Sequence, residues 1–318
     1  MPEKMIIGID LGGTKINTIL ADRRGNIMAR DLRDTLASEG PDAVIGRIVQ
    51  AIECVASGAK VAGIGIGAAG ACDTAKGVVT HSPNLPGWHD ILLRDIIQRQ
   101  FDIPTYLEND ATVAALGEHR FGGHDGVNNM LYVSVGTGIG GGIIIDGRLY
   151  SGTSGSAGEF GHMTIDINGE DCPCGNIGCW ETLASGNAMC REAAKRIQAG
   201  ERSAILDFAE NDVKKINGKS IFDAAQKGDR LAQELIERTG YYLGVGLVNL
   251  VDIFNPQLIL IGGGLSRMGE LLLAPARKVV SQRAFHLPAQ AVSIETSRLG
   301  TDSAALGAVA LVLESEKL

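Results

Sequence analysis

Between Gly158 and Glu181 the chain places three cysteines and a histidine within 24 residues: Gly158-Glu159-Phe160-Gly161-His162, then Cys172-Pro173-Cys174-Gly175, then Gly178-Cys179-Trp180-Glu181. Three thiolates and one imidazole form the closed tetrahedral shell that holds structural zinc, with no coordination position left for water. His162, Cys172, Cys174 and Cys179 are therefore expected to bind one Zn2+ and to order the segment around it. Such an ion organises a fold and does not hydrolyse a bond. A disulfide is the alternative, but a Cys-x-Cys pair is too close for unstrained bridging, and nothing in the sequence reads as secreted. Cys54, Cys72 and Cys190 stand in apolar or helical surroundings and read as small core residues.

A chain of 318 residues is too long for one compact core, so two domains are expected. A net charge of −8 weighs against a broad surface for nucleic acid or an anionic membrane, while leaving room for a local phosphate pocket. The apolar start Met5 to Ile9 is ended by Asp10 too soon for a signal peptide, and the longest apolar run, Ala304 to Leu313, is too short to span a bilayer. The expectation is a soluble cytoplasmic protein without nucleic-acid or membrane partners.

Glycine placement points to ligands. Gly12-Gly13, Gly136 to Gly142 and Gly262-Gly263-Gly264 each follow a β-branched run: Ile6 to Ile9, Leu131 to Val135 and Leu258 to Ile261. Glycine lets main chain approach a phosphate closely, although a tight turn accounts for any one of them equally well. Gly65 to Gly70 and Gly136 to Gly141 both satisfy G-x-G-x-x-G, which in a dinucleotide fold must open a helix. After Gly142, Ile143 to Leu149 reads instead as a strand with an Asp-Gly hairpin turn at Asp146-Gly147, so that reading fails. Residues 8 to 15 lack Walker A spacing and run into strand-like Ile16 to Leu20. Both are hairpins with phosphate-facing glycines.

The pattern repeats. Strand, glycine turn and strand at 5 to 20 recur at 131 to 145. Helices are expected near 41 to 57 and 90 to 100, and strands at 61 to 66 and 104 to 108. Leu231, Leu235, Leu243, Leu247, Leu250 and Phe254 fall near helical spacing up to Asn255-Pro256, ahead of a strand at 258 to 261. Two α/β halves, each opening with a phosphate hairpin, imply a cleft between duplicated domains. A last helix, capped by Thr301-Asp302, is expected to pack back on the first half.

Asp10-Leu11-Gly12-Gly13-Thr14-Lys15, Glu108-Asn109-Asp110-Ala111, Gly136 to Gly142 and the block from Gly158 to Glu181 resemble the ROK family of bacterial sugar kinases and repressors along the whole chain. The resemblance implies an α/β fold of duplicated actin-like (ribonuclease-H-like) ATPase domains flanking a cleft. Its smaller domain would be 1–109 plus 301–318, and its larger domain 110–300 with the zinc-binding segment 158–181. It also implies ATP-dependent phosphorylation of a hexose with Mg2+, in a homodimer or homotetramer. Ser82-Pro83-Asn84-Leu85 and Trp88 are most similar to the glucokinase members, which points to glucose ahead of N-acetylmannosamine, N-acetylglucosamine or fructose. Ala69 stands where many members carry proline, and Trp180 where leucine is common, both near the expected sugar pocket. Repressors of the family carry a helix-turn-helix domain ahead of the first hairpin, and here four residues precede Met5, so a kinase is expected. A non-catalytic sugar sensor is the other reading.

Phosphoryl transfer to a hydroxyl needs positioning, charge neutralisation and a carboxylate to accept the proton. The resemblance assigns that role to Asp110, which could otherwise cap a helix beginning at Ala111. Glu108 reads as a solvated or structural neighbour. The resemblance places Asn84, Asn109, Asp110, Glu159, His162 and Glu181 around the sugar, with His162 dividing its two ring nitrogens between zinc and a hydroxyl. Glu159, between Ala157-Gly158 and Phe160-Gly161, has a poor setting for a solvated helix face. Gly12, Gly13, Thr14, Lys15, Thr137 and Gly138 would approach the ATP phosphates, and Gly262, Gly263 and Gly264 would border the adenosine. Asp10 would meet Mg2+ through water, or make a structural hydrogen bond. His81, His89, His119, His124 and His286 show no ligand spacing and read as surface or loop residues.

Overall fold

The computed structural model describes residues 4–316. Its first sheet centres on β1 (Met5–Leu11), whose residues are buried on both faces instead of alternating, as in a strand covered on each side. β2 (Lys15–Ala21) pairs antiparallel with it, and β3 (Ile27–Asp34) pairs antiparallel with β2. Half-buried and exposed residues alternate along β3, the pattern of an edge strand. Helix α1 (Pro41–Ala56) turns its apolar stripe of Val44, Ile48, Ala51, Ile52 and Val55 inward and leads to β4 (Val61–Ala68), parallel to β1. Cys54 lies off that stripe and is exposed, contrary to the core role expected of it; Cys190 is half-buried, and Cys72 is buried as expected.

A small sheet follows, made of β5 (Ala71–Asp73), β6 (Val78–His81) and β7 (His89–Ile91). Then come α2 (Leu93–Phe101), β8 (Thr105–Asn109), parallel to β4, and α3 (Asp110–Phe121). The first sheet thus has the order β3-β2-β1-β4-β8. The next elements are β9 (Met130–Val135), β10 (Ile139–Ile145) and β11 (Arg148–Leu149). Helices α4 (Glu181–Ala184), α5 (Gly186–Gln198), α6 (Gly218–Gln226) and α7 (Arg230–Phe254) precede β12 (Leu258–Gly262). Helices α8 (Glu270–Arg283) and α9 (His286–Ala291), strand β13 (Ser293–Thr296) and helix α10 (Ser303–Ser315) complete the described chain. The second sheet, β11-β10-β9-β12-β13, repeats the connectivity of the first: three consecutive strands in reverse order, then two later ones. The duplication expected from the two hairpins is explicit in that order.

The chain divides into two compact units, one with residues up to 132, 142–158 and from 297 onward, the other with 133–141 and 159–296. The sequence reading began the second domain at 110, but α3 belongs to the first unit because it crosses α10 at van der Waals contact. A Cβ on Gly307 would lie 1.7 Å from the Val113 carbonyl oxygen, so only glycine permits this crossing. The same helix lies on β4, where a Cβ on Gly65 would come within 1.9 Å of the Ala308 carbonyl oxygen. Helix α10 therefore packs on the first unit, as expected from sequence, with Ala305, Val309 and Val312 wholly buried. Its expected side-chain cap is absent: Asp302 gives its carboxylate to Arg30, Oδ1 to Nη1 at 2.6 Å and Oδ2 to Nη2 at 2.8 Å. In the second unit α7 is capped by Asp229, whose Oδ1 accepts from Ala232 N–H at 2.8 Å, and it ends at left-handed Asn255 before Pro256.

Helix α3 is tied to the segment before α10 by one buried carboxylate. Glu118, wholly buried, accepts from the Ser297 hydroxyl (2.5 Å), the Ser303 hydroxyl (2.7 Å), and the N–H groups of Leu299 (3.0 Å) and Arg298 (3.2 Å). His124, read as a surface or loop residue, lies in the loop after α3 and is buried, with Nε2 3.6 Å from Glu118 Oε2. Removing one partner of such a set leaves several buried donors unpaired, which costs more than the bonds themselves contribute. Glu118→Ala is expected to lower unfolding free energy by about 3 kcal/mol, measured by urea denaturation. A loss under about 1 kcal/mol would show that the carboxylate does not hold α3 in place.

Candidate active site and metal centre

In the first unit, Asp10 lies near the end of β1, and the junction of β8 with α3 presents Asn109 and Asp110. Asn109 has extended backbone angles and caps the helix: its Oδ1 accepts from the N–H of Ala111 (2.9 Å) and of Thr112 (3.1 Å). Its Nδ2 donates to the Gly70 carbonyl at 3.0 Å, which leaves one amide hydrogen for a ligand. The helix begins at Asp110, so the cap that the sequence could have assigned to Asp110 is supplied by Asn109. Asp110 Oδ1 accepts from its neighbour Ala111 N–H at 2.8 Å.

Asp10 carries the clearest electrostatic signature. Burial, then the charges of Asp110 and Asp302, push its carboxyl up to about 7. Glu108, expected to be solvated or structural, is buried and is also pushed up to about 7 by burial, although the Asn109 N–H donates to it at 2.8 Å. The charges of Asp110 and Asp302 disfavour ionisation of Asp10, and a bound cation relieves that penalty.

The β1–β2 hairpin is held by Gly12 N–H to the Lys15 carbonyl at 3.0 Å, and by Thr35, whose hydroxyl donates to the Gly12 carbonyl at 2.7 Å and whose N–H donates to the Thr14 carbonyl at 2.8 Å. A Cβ on Gly13 would lie 2.7 Å from both Asn84 Cβ and the Asn84 carbonyl oxygen, so glycine here admits the loop that carries Asn84. Exposed Lys15 forms an ion pair with Asp34 on β3. In the second unit the β9–β10 hairpin places Thr137 and Gly138 beside the start of α5, with Gly186 N–H donating to the Gly136 carbonyl at 2.7 Å. After β12, Gly263 has φ +78° and a Cβ there would meet the Val135 carbonyl oxygen at 2.5 Å, while Gly262 ends the strand and Gly264 has open space beside it.

His162, Cys172, Cys174 and Cys179 bring one ligand atom each to within 4.8 Å of one another. The Cys174 and Cys179 sulfurs are 3.7 Å apart, and Cys172 Sγ is 3.8 Å from His162 Nδ1. A tetrahedral ion with bonds of about 2.3 Å to sulfur and 2.0 Å to nitrogen needs separations of about 3.5 to 3.8 Å, so the four residues fit it. Nδ1 is therefore the ring nitrogen on the metal side. Nε2 lies 3.8 Å from Glu159 Oε2. Burial pushes the Cys172 thiol up to about 12 and Cys179 upward, a preference for the neutral form that a divalent ion reverses.

Glu181 joins this cluster to the hairpin. Its Oε1 lies 3.3 Å from Cys172 Sγ and 3.6 Å from His162 Nδ1, and its Oε2 accepts from Ile139 N–H at 3.4 Å. A Cβ on Gly138 would stand 2.5 Å from the same Oε2, so glycine keeps this approach open. Glu159 is exposed, against the expectation of a sheltered setting: the short turn after it buries Phe160, which meets Phe254 edge-on at 6.1 Å. Trp180 is a core anchor and not a pocket wall. It is wholly buried, donates Nε1–H to the Tyr242 carbonyl at 2.8 Å, and packs over Gly246, where any Cβ would collide with its ring at 2.0 Å. Sequence reasoning missed the Glu118 carboxylate and the tie from Asn109 to Gly70, whose partners lie far along the chain and leave no local signal.

The model of the ROK family matches residues 6–315. A glucokinase of Thermotoga maritima is 36% identical over 314 residues, covering 99% of each chain. A xylose repressor of Caldicellulosiruptor bescii is also 36% identical, over 97% of this chain and 78% of the repressor. The crystal structure of a ROK family glucokinase from Streptomyces griseus, in complex with glucose and AMPPNP, has a TM-score of 0.86 at 34% identity, with 96% of this chain and 98% of that one covered. The fold is the duplicated actin-like α/β ATPase fold of these neighbours. On this sequence and structural similarity, the chain belongs to the ROK family.

Proposed function

We propose that the protein transfers the γ-phosphoryl group of ATP to a hexose, glucose to glucose 6-phosphate in the first instance. The observation that carries this reading is the position of Asp110 at the start of α3, with Asn109 supplying the N-cap and buried Asp10 beside it. As the sugar hydroxyl oxygen attacks the γ-phosphorus, its proton passes to Asp110, the new O–P bond forms and the bond to ADP breaks. Asn84 beside Gly13, Asn109 through its spare amide hydrogen, and Glu159, His162 Nε2 and Glu181 are assigned to sugar hydroxyls. Gly12, Gly13, Thr14, Lys15, Thr137 and Gly138 are assigned to the phosphates, and Gly262 to Gly264 to the adenosine. Magnesium neutralises phosphate charge in such transfers, and Asp10 is the carboxylate assigned to it through water. Zinc on the Cys3His cluster fixes His162 and Glu181 and takes no part in the chemistry.

A sugar-sensing role is the second reading, favoured by relatives named as xylose repressors at the same identity. A sensor needs the sugar groups but not a proton acceptor, and Asp110 with two phosphate hairpins favours turnover. No helix among the described residues is long and apolar enough to cross a membrane. A homodimer or homotetramer is supported by exposed Ile253, Phe285 and Leu287 on the second unit, each more than two-thirds accessible.

Asp110→Asn is expected to keep glucose affinity while lowering kcat by about two to four orders of magnitude, the usual contribution of a general base. Wild-type turnover in that variant would remove Asp110 from the mechanism.

Cys174→Ser is expected to lose zinc and thermal stability together and to raise KM for sugar, with magnesium giving no rescue because it prefers six oxygen ligands. Elemental analysis checks the premise: fully active protein with well under about one zinc per chain would show the ion to be dispensable.

Asp10 gives a pH-dependent expectation. Its carboxyl is raised from 3.8 to about 7 on folding, so its burden on stability is absent below 3.8, grows through the interval and is complete above about 7. Asparagine stays neutral, so Asp10→Asn should stabilise the magnesium-free protein at alkaline pH by on the order of 2 kcal/mol, with the gain vanishing toward pH 4. Unfolding midpoints across pH test this, and a variant destabilised equally at every pH would contradict it.

A further inference from the structure

The small sheet holds a pair of histidines that phosphoryl transfer does not use. β6 and β7 are antiparallel, and His81 stands directly opposite His89. Both are exposed; their ring centroids lie 5.1 Å apart with planes 25° apart, and their Nδ1 atoms are 3.4 Å apart. Two imidazole nitrogens on one tetrahedral zinc ion, each about 2.05 Å from it, are separated by about 3.4 Å. As a direct hydrogen bond the same distance is long. We infer that His81 and His89 form a second metal site, a two-histidine chelate through Nδ1 for Zn2+ or another divalent ion that prefers imidazole, separate from the Cys3His cluster. Water completes the coordination, and magnesium is disfavoured because the pair offers it no oxygen.

The location gives this site a consequence. His81 and His89 flank residues 82–88, the loop that sets Asn84 against Gly13. Ser82 Oγ and Trp88 Nε1, at the two ends of the loop, are buried without a hydrogen-bond partner among the described residues. Each such group costs about 1–3 kcal/mol, so the loop depends on the wholly buried Leu85 and Trp88 for its conformation. An ion bridging the residues on either side stabilises that conformation by mass action, because it binds the paired histidines and not a separated pair. The chelate also requires both imidazoles to be neutral with the proton on Nε2.

The test uses the full chain, zinc-loaded and dialysed at near-neutral pH against rising free Zn2+, with bound metal counted by elemental analysis. The site predicts one zinc equivalent more in the wild type than in His81→Gln or His89→Gln, with binding of that equivalent weakened by at least about tenfold. It also predicts slower amide exchange across residues 82–88 when the equivalent binds, in the wild type only. The count is a difference between proteins that share the Cys3His cluster, so failure of the first zinc assignment leaves it readable. A wild type that binds no more zinc than the double variant H81Q/H89Q overturns the proposal. Unchanged amide exchange in 82–88 on binding overturns its consequence for the loop.

Discussion

The first unit is organised around two carboxyl groups that disfavour each other's charge. Asp10 lies near the end of β1 and Asp110 opens α3, and Asp10 is held up to about 7 by burial and by Asp110. A chain gains no stability from this arrangement, so the surrounding structure must hold it in place. Asn109 supplies the cap and so fixes where α3 begins, while Asp110 Oδ1 also accepts from the Ala111 N–H. Glu118 anchors the same helix to the approach of α10, and the glycine crossing at Gly307 lets α10 lie against it. The polar strain at the end of β1 is thus offset by buried hydrogen bonds and close packing elsewhere in the unit.

The second unit solves a different problem, that of ordering an irregular segment with little apolar content of its own. Four ligand atoms within 4.8 Å, with turns closed by Cys172 N–H to Asn176 O and Gly175 N–H to Cys172 O, define where His162 and Glu181 sit. Trp180 fixes the other side of the segment by filling the notch at Gly246 on α7. Glu181 is held between sulfur, imidazole and the Ile139 N–H, so the metal cluster and the glycine hairpin share one carboxylate. Loss of the ion would therefore be felt at the hairpin, through the side chain they share.

What was legible in the sequence was what is written locally. The hairpins, the long helix ending at Asn255-Pro256, and the gathering of His162, Cys172, Cys174 and Cys179 each occupy a short stretch with its own spacing and are present in the structure. The misreadings concern side chains whose surroundings are set by the fold and not by spacing along the chain. Asp302 reads as a cap, but Arg30, 272 positions away, takes its carboxylate. His124 reads as a surface or loop residue, and it lies in the loop after α3 but is buried beside Glu118. Glu159 reads as sheltered because its neighbours are small and apolar, yet Phe160 takes the buried place and Glu159 turns outward. The boundary after residue 109 misses that α3 packs on α10, a contact set by glycines at Gly117 and Gly307 that no local pattern announces. His81 and His89 show no ligand spacing in sequence because only the antiparallel register of β6 and β7 makes them neighbours.

In the proposed function, the residues around Asp10 and Asp110 carry out phosphoryl transfer and do more than sense a sugar. The most direct measurement is steady-state ADP release with ATP and magnesium across glucose, N-acetylmannosamine, N-acetylglucosamine and fructose. The account predicts ADP formed in equal amount to sugar phosphate, with glucose giving the highest kcat/KM. Saturable sugar binding without ADP release for any of these hexoses would contradict it.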